Sequence, residues 1–226
     1  MLLGVTPNLF FVLLTQAVLW ASAFAGIKIG LESITAGHLT LLRHIVASLC
    51  FLPFLFFTRS KLFPKPRDVP FFFLLGFLGY SVYHTTLNFG ELEVSAGTAS
   101  LIIATAPAFT AILASLLLKE RLPLLGWIGI ATSFAGVVLI VLGDNPELGF
   151  NVYALLILLS AIVAAFYSIL QRPLFKTYKA VEVTAFATWA GTVPMFIFWP
   201  GFVSDLQTAT TNSLLAGIYI GIFPSA

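Results

Sequence analysis

Long apolar runs recur along the chain and predict membrane-spanning helices. A bilayer core of about 30 Å requires about 20 helical residues, and short polar stretches separate runs of that length. The predicted spans are seven complete helices and the beginning of an eighth, at residues 9–29, 36–57, 70–89, 95–118, 124–142, 151–173, 182–200 and from 213 onward. The pattern therefore predicts an all-α polytopic membrane protein.

Composition supports this prediction and limits the binding partners that are expected. Hydrophobic residues make up 59% of the chain and charged residues only 9%, against about 25% charged residues in soluble proteins. No basic run suits nucleic acid, so the expected partners are the lipid bilayer and a small molecule. The single cysteine, Cys50, allows no internal disulfide.

Basic residues are sorted among alternate connections between the spans. They follow the second, fourth and sixth spans, at Arg59, Lys61, Lys65, Arg67, Lys119, Arg121, Arg172, Lys176 and Lys179. The other connections hold one base, Lys28, and the acidic residues Glu32, Glu91, Glu93, Asp144, Glu147 and Asp205. Because basic connections face the cytoplasm, the amino terminus is predicted to be cytoplasmic.

Two segments early in the chain are repeated later in weak form. VLLTQAVLWASAFAG (12–26) is similar to LILLSAIVAAFYSIL (156–170), and LLGFLGY (74–80) is similar to LAGIYIG (215–221). A unit of five spans crosses the membrane an odd number of times, so its second copy must be inverted, and the charges of corresponding connections are indeed reversed. Inverted repeats recur in secondary transporters. We expect a first repeat at residues 1–143 and an incomplete second repeat at 144–226.

The block SAGTASLIIATAPAFTAILASLLLKERLPLLGWIGIATSFAGVVLIVLG (95–143) resembles the EamA-like members of the drug/metabolite transporter superfamily, as do WASAFAGIKIG (20–30) and RHIVAS (43–48). The resemblance covers the whole chain. It implies ten helices in two inverted five-helix repeats, a central cavity, and export or exchange of small metabolites across a bacterial inner membrane. The chain stops inside the eighth helix, so about seven and a half helices of this plan are expected.

Polar residues inside the second and third spans are candidates for a binding site, because such groups are costly in lipid. Arg43 and His44 lie about 10 Å from the outer end of the second span at 1.5 Å per residue. Arg43 suits a carboxylate-bearing substrate; alternatively it snorkels outward or pairs with helix-end carbonyls. A neighbouring helix could equally satisfy His44.

Aromatic and polar residues share one sector of the third span, as expected for the wall of a small-molecule cavity. They are Tyr80, Tyr83, His84 and Asn88. The alternative for the tyrosines is an interfacial belt.

The first and sixth spans are expected to contribute to the same cavity. Gln16 and Trp20 lie one turn apart on the first span, and Tyr167 lies on the sixth. The similarity between these two spans suggests equivalent cavity walls, and ordinary packing is the alternative for each residue.

Pro107 interrupts the fourth span, where small residues form one face. Loosening of the Ile103 carbonyl by Pro107 suggests a gating bend, whereas plain helix packing would explain the small face. In the fifth span Gly126, Gly129, Ser133 and Gly136 form a second small stripe, which suits packing within the chain or a homodimer.

Other chemistry is not indicated. No acidic residue falls at mid-membrane depth, which disfavours a carboxylate proton relay and leaves facilitated diffusion, exchange, or a relay through His44 or His84. Phosphate-loop, HExxH and GxSxG motifs are absent. His38, His44 and His84 do not have metal-ligand spacing, so no enzyme activity, metal or cofactor is predicted.

The sequence therefore predicts an exporter or exchanger of small organic metabolites, amphipathic or amino-acid-like, that works by alternating access. The alternative is a truncated membrane remnant or scaffold that does not transport, because the cavity of the family needs both repeats.

Overall fold

The structure, a computed structural model, describes residues 7–57, 60–119, 122–144 and 152–224. Within these ranges it describes every side chain except those of residues 7–10, 54 and 140–144. Three charged residues used in the charge pattern lie outside the described residues: Arg59, Arg121 and Glu147.

The described part of the chain is built from helices and contains no strand. In chain order they are α1 (Pro7–Leu31), α2 (Ala36–Phe57), α3 (Val69–Gly76), α4 (Tyr83–Gly90), α5 (Ala96–Ile103), α6 (Ala106–Leu117), α7 (Leu124–Asp144), α8 (Val152–Leu170), α9 (Ala180–Met195), α10 (Phe202–Thr208) and α11 (Thr211–Ile222). Each predicted span corresponds to one of these helices or to a consecutive pair.

Five of the described segments are long and apolar enough to cross a membrane. They are Phe11–Leu31, Ala36–Phe57, Ala96–Leu117, Val152–Lys176 and Ala180–Phe198. The prediction of an all-α polytopic membrane protein is confirmed. The short helix α10, which lies between the seventh and eighth spans, was not predicted.

The third span contains a π-helical turn. Residues Phe77–Val82 adopt this wider winding between α3 and α4, where the sequence predicted one uninterrupted helix. Such turns occur mostly as local insertions in α-helices, frequently at functional sites. Tyr80 and Ser81 lie within the turn and are buried.

The fourth span is interrupted as Pro107 predicts. α5 ends at Ile103 and α6 begins at Ala106, because proline cannot donate to the preceding turn and its ring clashes with the carbonyl four residues earlier. The Thr105 hydroxyl donates to the Ile102 carbonyl at 2.6 Å. This contact compensates for part of the broken backbone pattern, as hydroxyls do in membrane helices.

The spans pack in pairs that a two-fold relation would exchange. α1 packs against α11 and α8 against α4; α2 packs against α11 and α9 against α3; and α2 and α9 pack against each other. Exchanging the first span with the sixth, the second with the seventh and the third with the eighth converts this set of contacts into itself. These five contacts fit the predicted inverted repeat, which stays a prediction.

The crossing of α3 and α9 depends on two glycines. A Cβ atom on Gly76 would lie 2.4 Å from the Ala187 carbonyl oxygen and 2.4 Å from the Gly191 nitrogen, and one on Gly191 would lie 2.5 Å from the Gly76 oxygen. The Ser81 hydroxyl donates to the Gly191 carbonyl at 2.6 Å. Backbones at this distance exclude any side chain from the crossing point.

Connections predicted to share a side of the membrane contact each other. At the predicted outer end, Asp205 accepts hydrogen bonds from the backbone nitrogen of Thr35 at 3.0 Å and from His38 Nδ1 at 2.5 Å. At the predicted inner end, Glu182 accepts from the backbone nitrogens of Lys61 at 2.7 Å and Lys179 at 2.8 Å. The first half of the chain is therefore joined to the second at both ends.

Replacement of Gly76 by alanine is expected to lower the thermal unfolding midpoint of the detergent-solubilised protein. The added methyl group has no space at the α3–α9 crossing, and overpacking of this kind costs about 1–3 kcal/mol. Gly97→Ala is the matched control, because a Cβ atom on Gly97 in α5 would make only an ordinary contact, 3.8 Å from the Ser95 hydroxyl oxygen. Equal midpoints for the two variants, measured by tryptophan fluorescence, would contradict this account of the crossing.

Candidate functional site

The second and third spans bring a set of polar side chains together in the interior. We call this set the central cluster: Thr40, Arg43, His44, Tyr80, Tyr83, His84 and Asn88. Arg43 is 2% exposed and Asn88 is 0% exposed. Such low exposure does not fit the alternative in which Arg43 snorkels to the outer surface.

Asn88 links the two spans within the central cluster. Its Nδ2 donates to Thr40 Oγ1 at 2.9 Å, and its Oδ1 accepts from Arg43 Nη1 at 3.5 Å. The Thr40 hydroxyl in turn donates to the Ala36 carbonyl at 2.7 Å. Asn88 therefore holds Arg43 from one side while its own amide is satisfied by α2.

The two histidines of the central cluster form a directed hydrogen-bonded pair. His44 Nδ1 lies 2.7 Å from the Thr40 carbonyl, to which it must donate, so His44 Nε2 is left as an acceptor in the neutral ring. His84 Nδ1 lies 3.2 Å from that nitrogen and 3.1 Å from the Tyr80 carbonyl. The geometry thus assigns the Nδ1–H tautomer to both rings. Residue spacing did not predict this pairing.

Aromatic rings surround the histidines and include one from α8. The Tyr80 and Tyr167 rings meet edge to face with centroids 5.6 Å apart. The Tyr83 ring lies 4.8 Å from that of His84. The second, third and sixth spans therefore all contribute side chains to the central cluster or its surroundings. Tyr167 contacts the cluster from the second half of the chain.

Gln16 and Trp20 lie elsewhere. Trp20 is 59% exposed, and both residues line a surface groove between α1 and Phe223. The structure does not bring them to the central cluster, and their role in substrate contact stays a prediction.

Glu91 is the residue that the sequence reading missed. It lies in the turn after α4, as predicted, but its side chain is 0% exposed. Lys28 Nζ donates to its backbone carbonyl, and both Lys28 and Arg43 act on its carboxyl group electrostatically. The available signal was its spacing three residues after Asn88, which places the two on one helix face.

The histidines do not form a metal centre with other ligands. Within the described ranges, no group of three His, Cys, Asp or Glu side chains is placed to hold a metal ion. His38 lies at the outer end against Asp205, away from the other two histidines.

The arrangement can bind a small organic anion with an apolar body. A buried guanidinium offers paired donors to a carboxylate, neutral imidazoles add a polar wall, and tyrosine rings provide apolar surface. Small-molecule sites typically combine an aromatic lining with a few polar groups of this kind.

Comparison with known proteins shows the family to which this chain is related. Residues 8–142 match the EamA-like transporter family. A Bacillus subtilis protein named "Uncharacterized transporter YdfC" is 41% identical over 207 residues, covering 92% of this chain and 67% of that protein.

Two further relatives cover nearly all of this chain. A Streptantibioticus cattleyicolor protein named "Probable terminal-alkyne amino-acid exporter" is 36% identical over 215 residues, covering 95% of this chain and 71% of that protein. An Escherichia coli K12 protein named "Uncharacterized inner membrane transporter YedA" is 30% identical over 223 residues, covering 96% of this chain and 70% of that protein.

Proposed function

This chain belongs to the EamA-like transporter family, whose members are membrane transporters, and from that membership we propose that it exports or exchanges small organic metabolites by alternating access. The observation that carries the proposal is the burial of Arg43 among polar and aromatic side chains from three spans. A charge in the membrane interior is costly and is tolerated where it has a partner or a substrate, so a buried arginine is a candidate for the substrate site.

The proposed substrate is amphipathic and carries a carboxylate, as an amino acid does. Arg43 would hold the carboxylate, Asn88 would keep Arg43 in position, and His44, Tyr80, Tyr83, His84 and Tyr167 would surround the remainder. The relative named as a probable terminal-alkyne amino-acid exporter supports this substrate class. Gln16 and Trp20 would then line the path between the surface groove and the cavity.

Alternating access would arise from rocking of the first repeat, residues 1–143, against the second, from residue 144. The exchangeable packing of the spans supports this division. The two sets of end contacts, Asp205 with Thr35 and His38, and Glu182 with Lys61, would open in turn. Opening at one end while the other stays closed is the property that alternating access demands.

The proposed location is the bacterial inner membrane, with the amino terminus in the cytoplasm. The alternation of basic and acidic connections supports this orientation. The name of the Escherichia coli relative, an inner membrane transporter, supports the location. The other candidate function is a membrane scaffold that does not transport. A measurement of substrate flux distinguishes the two functions.

Flux through the full chain in liposomes tests the proposal directly. With L-propargylglycine, a terminal-alkyne amino acid, as the probe, wild-type protein is expected to catalyse counterflow. Arg43→Gln should reduce it about tenfold or more, since hydrogen bonds to charged groups contribute about 1.5–3 kcal/mol. Arg67→Gln, at an exposed arginine of the second connection, is the control. Full activity in folded Arg43→Gln protein would contradict the role of Arg43 in substrate binding. Absence of counterflow with the wild-type protein would favour the scaffold function.

A gating role for Pro107 is proposed from the helix break between α5 and α6. Pro107→Ala restores the missing donor and should straighten the span, so the rate of counterflow is expected to fall while the affinity for the probe changes little. An unchanged rate in a folded variant would leave Pro107 a packing residue only.

A homodimer through α7 is proposed from the open side of this helix. Cβ atoms on Gly129 and Gly136 would meet nothing within 4 Å, which leaves a small-residue surface of the type that membrane helices use for close packing. Ser133→Cys, in a background with Cys50→Ser, is expected to crosslink in membranes under mild oxidation. Absence of a crosslinked dimer would count against this interface.

A further inference from the structure

The Glu91 carboxyl group is buried without a hydrogen-bond donor. Neither of its oxygens has a partner among the residues that the structure describes. Burial of an ionised carboxylate in this situation is strongly unfavourable, and such a group binds a proton or a cation instead. The missing hydrogen bonds to both carboxyl oxygens therefore require an explanation.

Glu182 shows how the same side chain behaves when it is structural. It is 3% exposed, and its two oxygens accept from the backbone nitrogens of Lys61 and Lys179. The contrast with Glu91 indicates that Glu91 does not serve to close a helix end. Its oxygens are free to receive the donors of a ligand.

Glu91 lies next to the central cluster. It follows Asn88 by three residues on one helix face, and its backbone nitrogen continues the helical pattern by donating to the Leu87 carbonyl at 2.9 Å. Asn88 contacts Arg43, and the charge of Arg43 lowers the pKa of Glu91. Asn88, which holds Arg43, and Glu91 are thus about one helical turn apart on the same helix face, at 1.5 Å per residue.

The charged and titratable groups around Glu91 come from four helices. They are Lys28 of α1, Arg43 of α2, Tyr83 of α4, and Tyr153 of α8, whose backbone lies against Gly90. Glu32 and Glu93 on the neighbouring turns are exposed. Burial raises the pKa of Glu91 to about 8, against the lowering effect of Lys28 and Arg43. Near neutral pH the carboxyl group therefore holds a proton when nothing else compensates its charge.

We propose that Glu91 is the second charged group of the substrate site, where it binds the ammonium group of a zwitterionic α-amino acid in exchange for a proton. This rests on the proposed function, in which Arg43 binds the carboxylate. When the amino acid binds, the Glu91 O–H bond breaks, the proton leaves to water, and the ammonium N–H groups donate to both carboxylate oxygens. One proton is released for each substrate bound.

Exchange of the amino acid for a proton at Glu91 couples the export of the amino acid to the inward movement of the proton. In the state open to the cytoplasm, the amino acid displaces the proton from Glu91; in the state open to the outside, a proton displaces the amino acid. Export of a neutral zwitterion would thus be driven by inward proton movement. The expectation that a carboxylate relay is disfavoured overlooked Glu91 because the residue lies in a connection rather than in a span.

Calorimetric titration of the full wild-type chain with L-propargylglycine at pH 7, in two buffers of different ionisation enthalpy, measures binding and proton release together. Binding with release of close to one proton per site is expected. Binding without proton release would overturn the role of Glu91 and leave the transporter proposal intact. Absence of binding would instead defeat the amino-acid site itself and Glu91's part in it.

Two variants sharpen the test. E91Q cannot exchange a proton, so proton release should be lost, and the preference for L-propargylglycine over 4-pentynoate, which lacks the ammonium group, should fall about tenfold or more. A tenfold change corresponds to about 1.4 kcal/mol. E93Q removes an exposed carboxylate two residues away and should match wild type. Folded E91Q with unchanged preference and proton release would refute the proposal; if E91Q does not fold, the wild-type titration decides.

Discussion

The burial of the Arg43 guanidinium is the constraint on which the interior of this protein depends. A guanidinium removed from water needs compensation by acceptors or negative charge. Asn88 supplies an acceptor here. Because Asn88 comes from the third span, the close packing of α2 with that span serves the same requirement. The proposed binding site and the packing of these two spans thus share one set of side chains.

Close approach of helices at a glycine occurs at two further crossings. Gly76 in LLGFLGY meets α9, and Gly217 in LAGIYIG meets α2, where a Cβ atom would lie 2.6 Å from the Leu42 side chain. The two glycines occupy equivalent positions in the two similar segments. Small residues are what membrane helices require for close crossings, because lipid provides no hydrophobic force between helices. The same device therefore fixes the third span on the seventh and the eighth on the second.

Hydropathy predicted the spans because lipid imposes a length on every apolar helix, and the break at Pro107 was predictable from one missing donor. The cost of polar groups in lipid selected Arg43, His44, His84 and Asn88, which the structure brings together. The π-helical turn at Phe77–Val82 was not predicted, because a hydropathy pattern does not distinguish a π-helical turn from an α-helical one. Glu91 was read as a loop charge because hydropathy averages cannot give the direction of a side chain. The position of Trp20 in a surface groove could not be predicted for a similar reason, because almost every face of α1 is apolar and the pattern does not show which face is inward.

We propose that the cluster around Arg43 is the substrate site. An experimental structure of the full chain in a lipid nanodisc with saturating L-propargylglycine would test this. The ligand is expected between the second and third spans, with its carboxylate on Arg43 and its side chain against Tyr80, Tyr83 and Tyr167. A ligand bound instead in the groove beside Gln16, Trp20 and Phe223, with the central cluster unchanged and unoccupied, would contradict it.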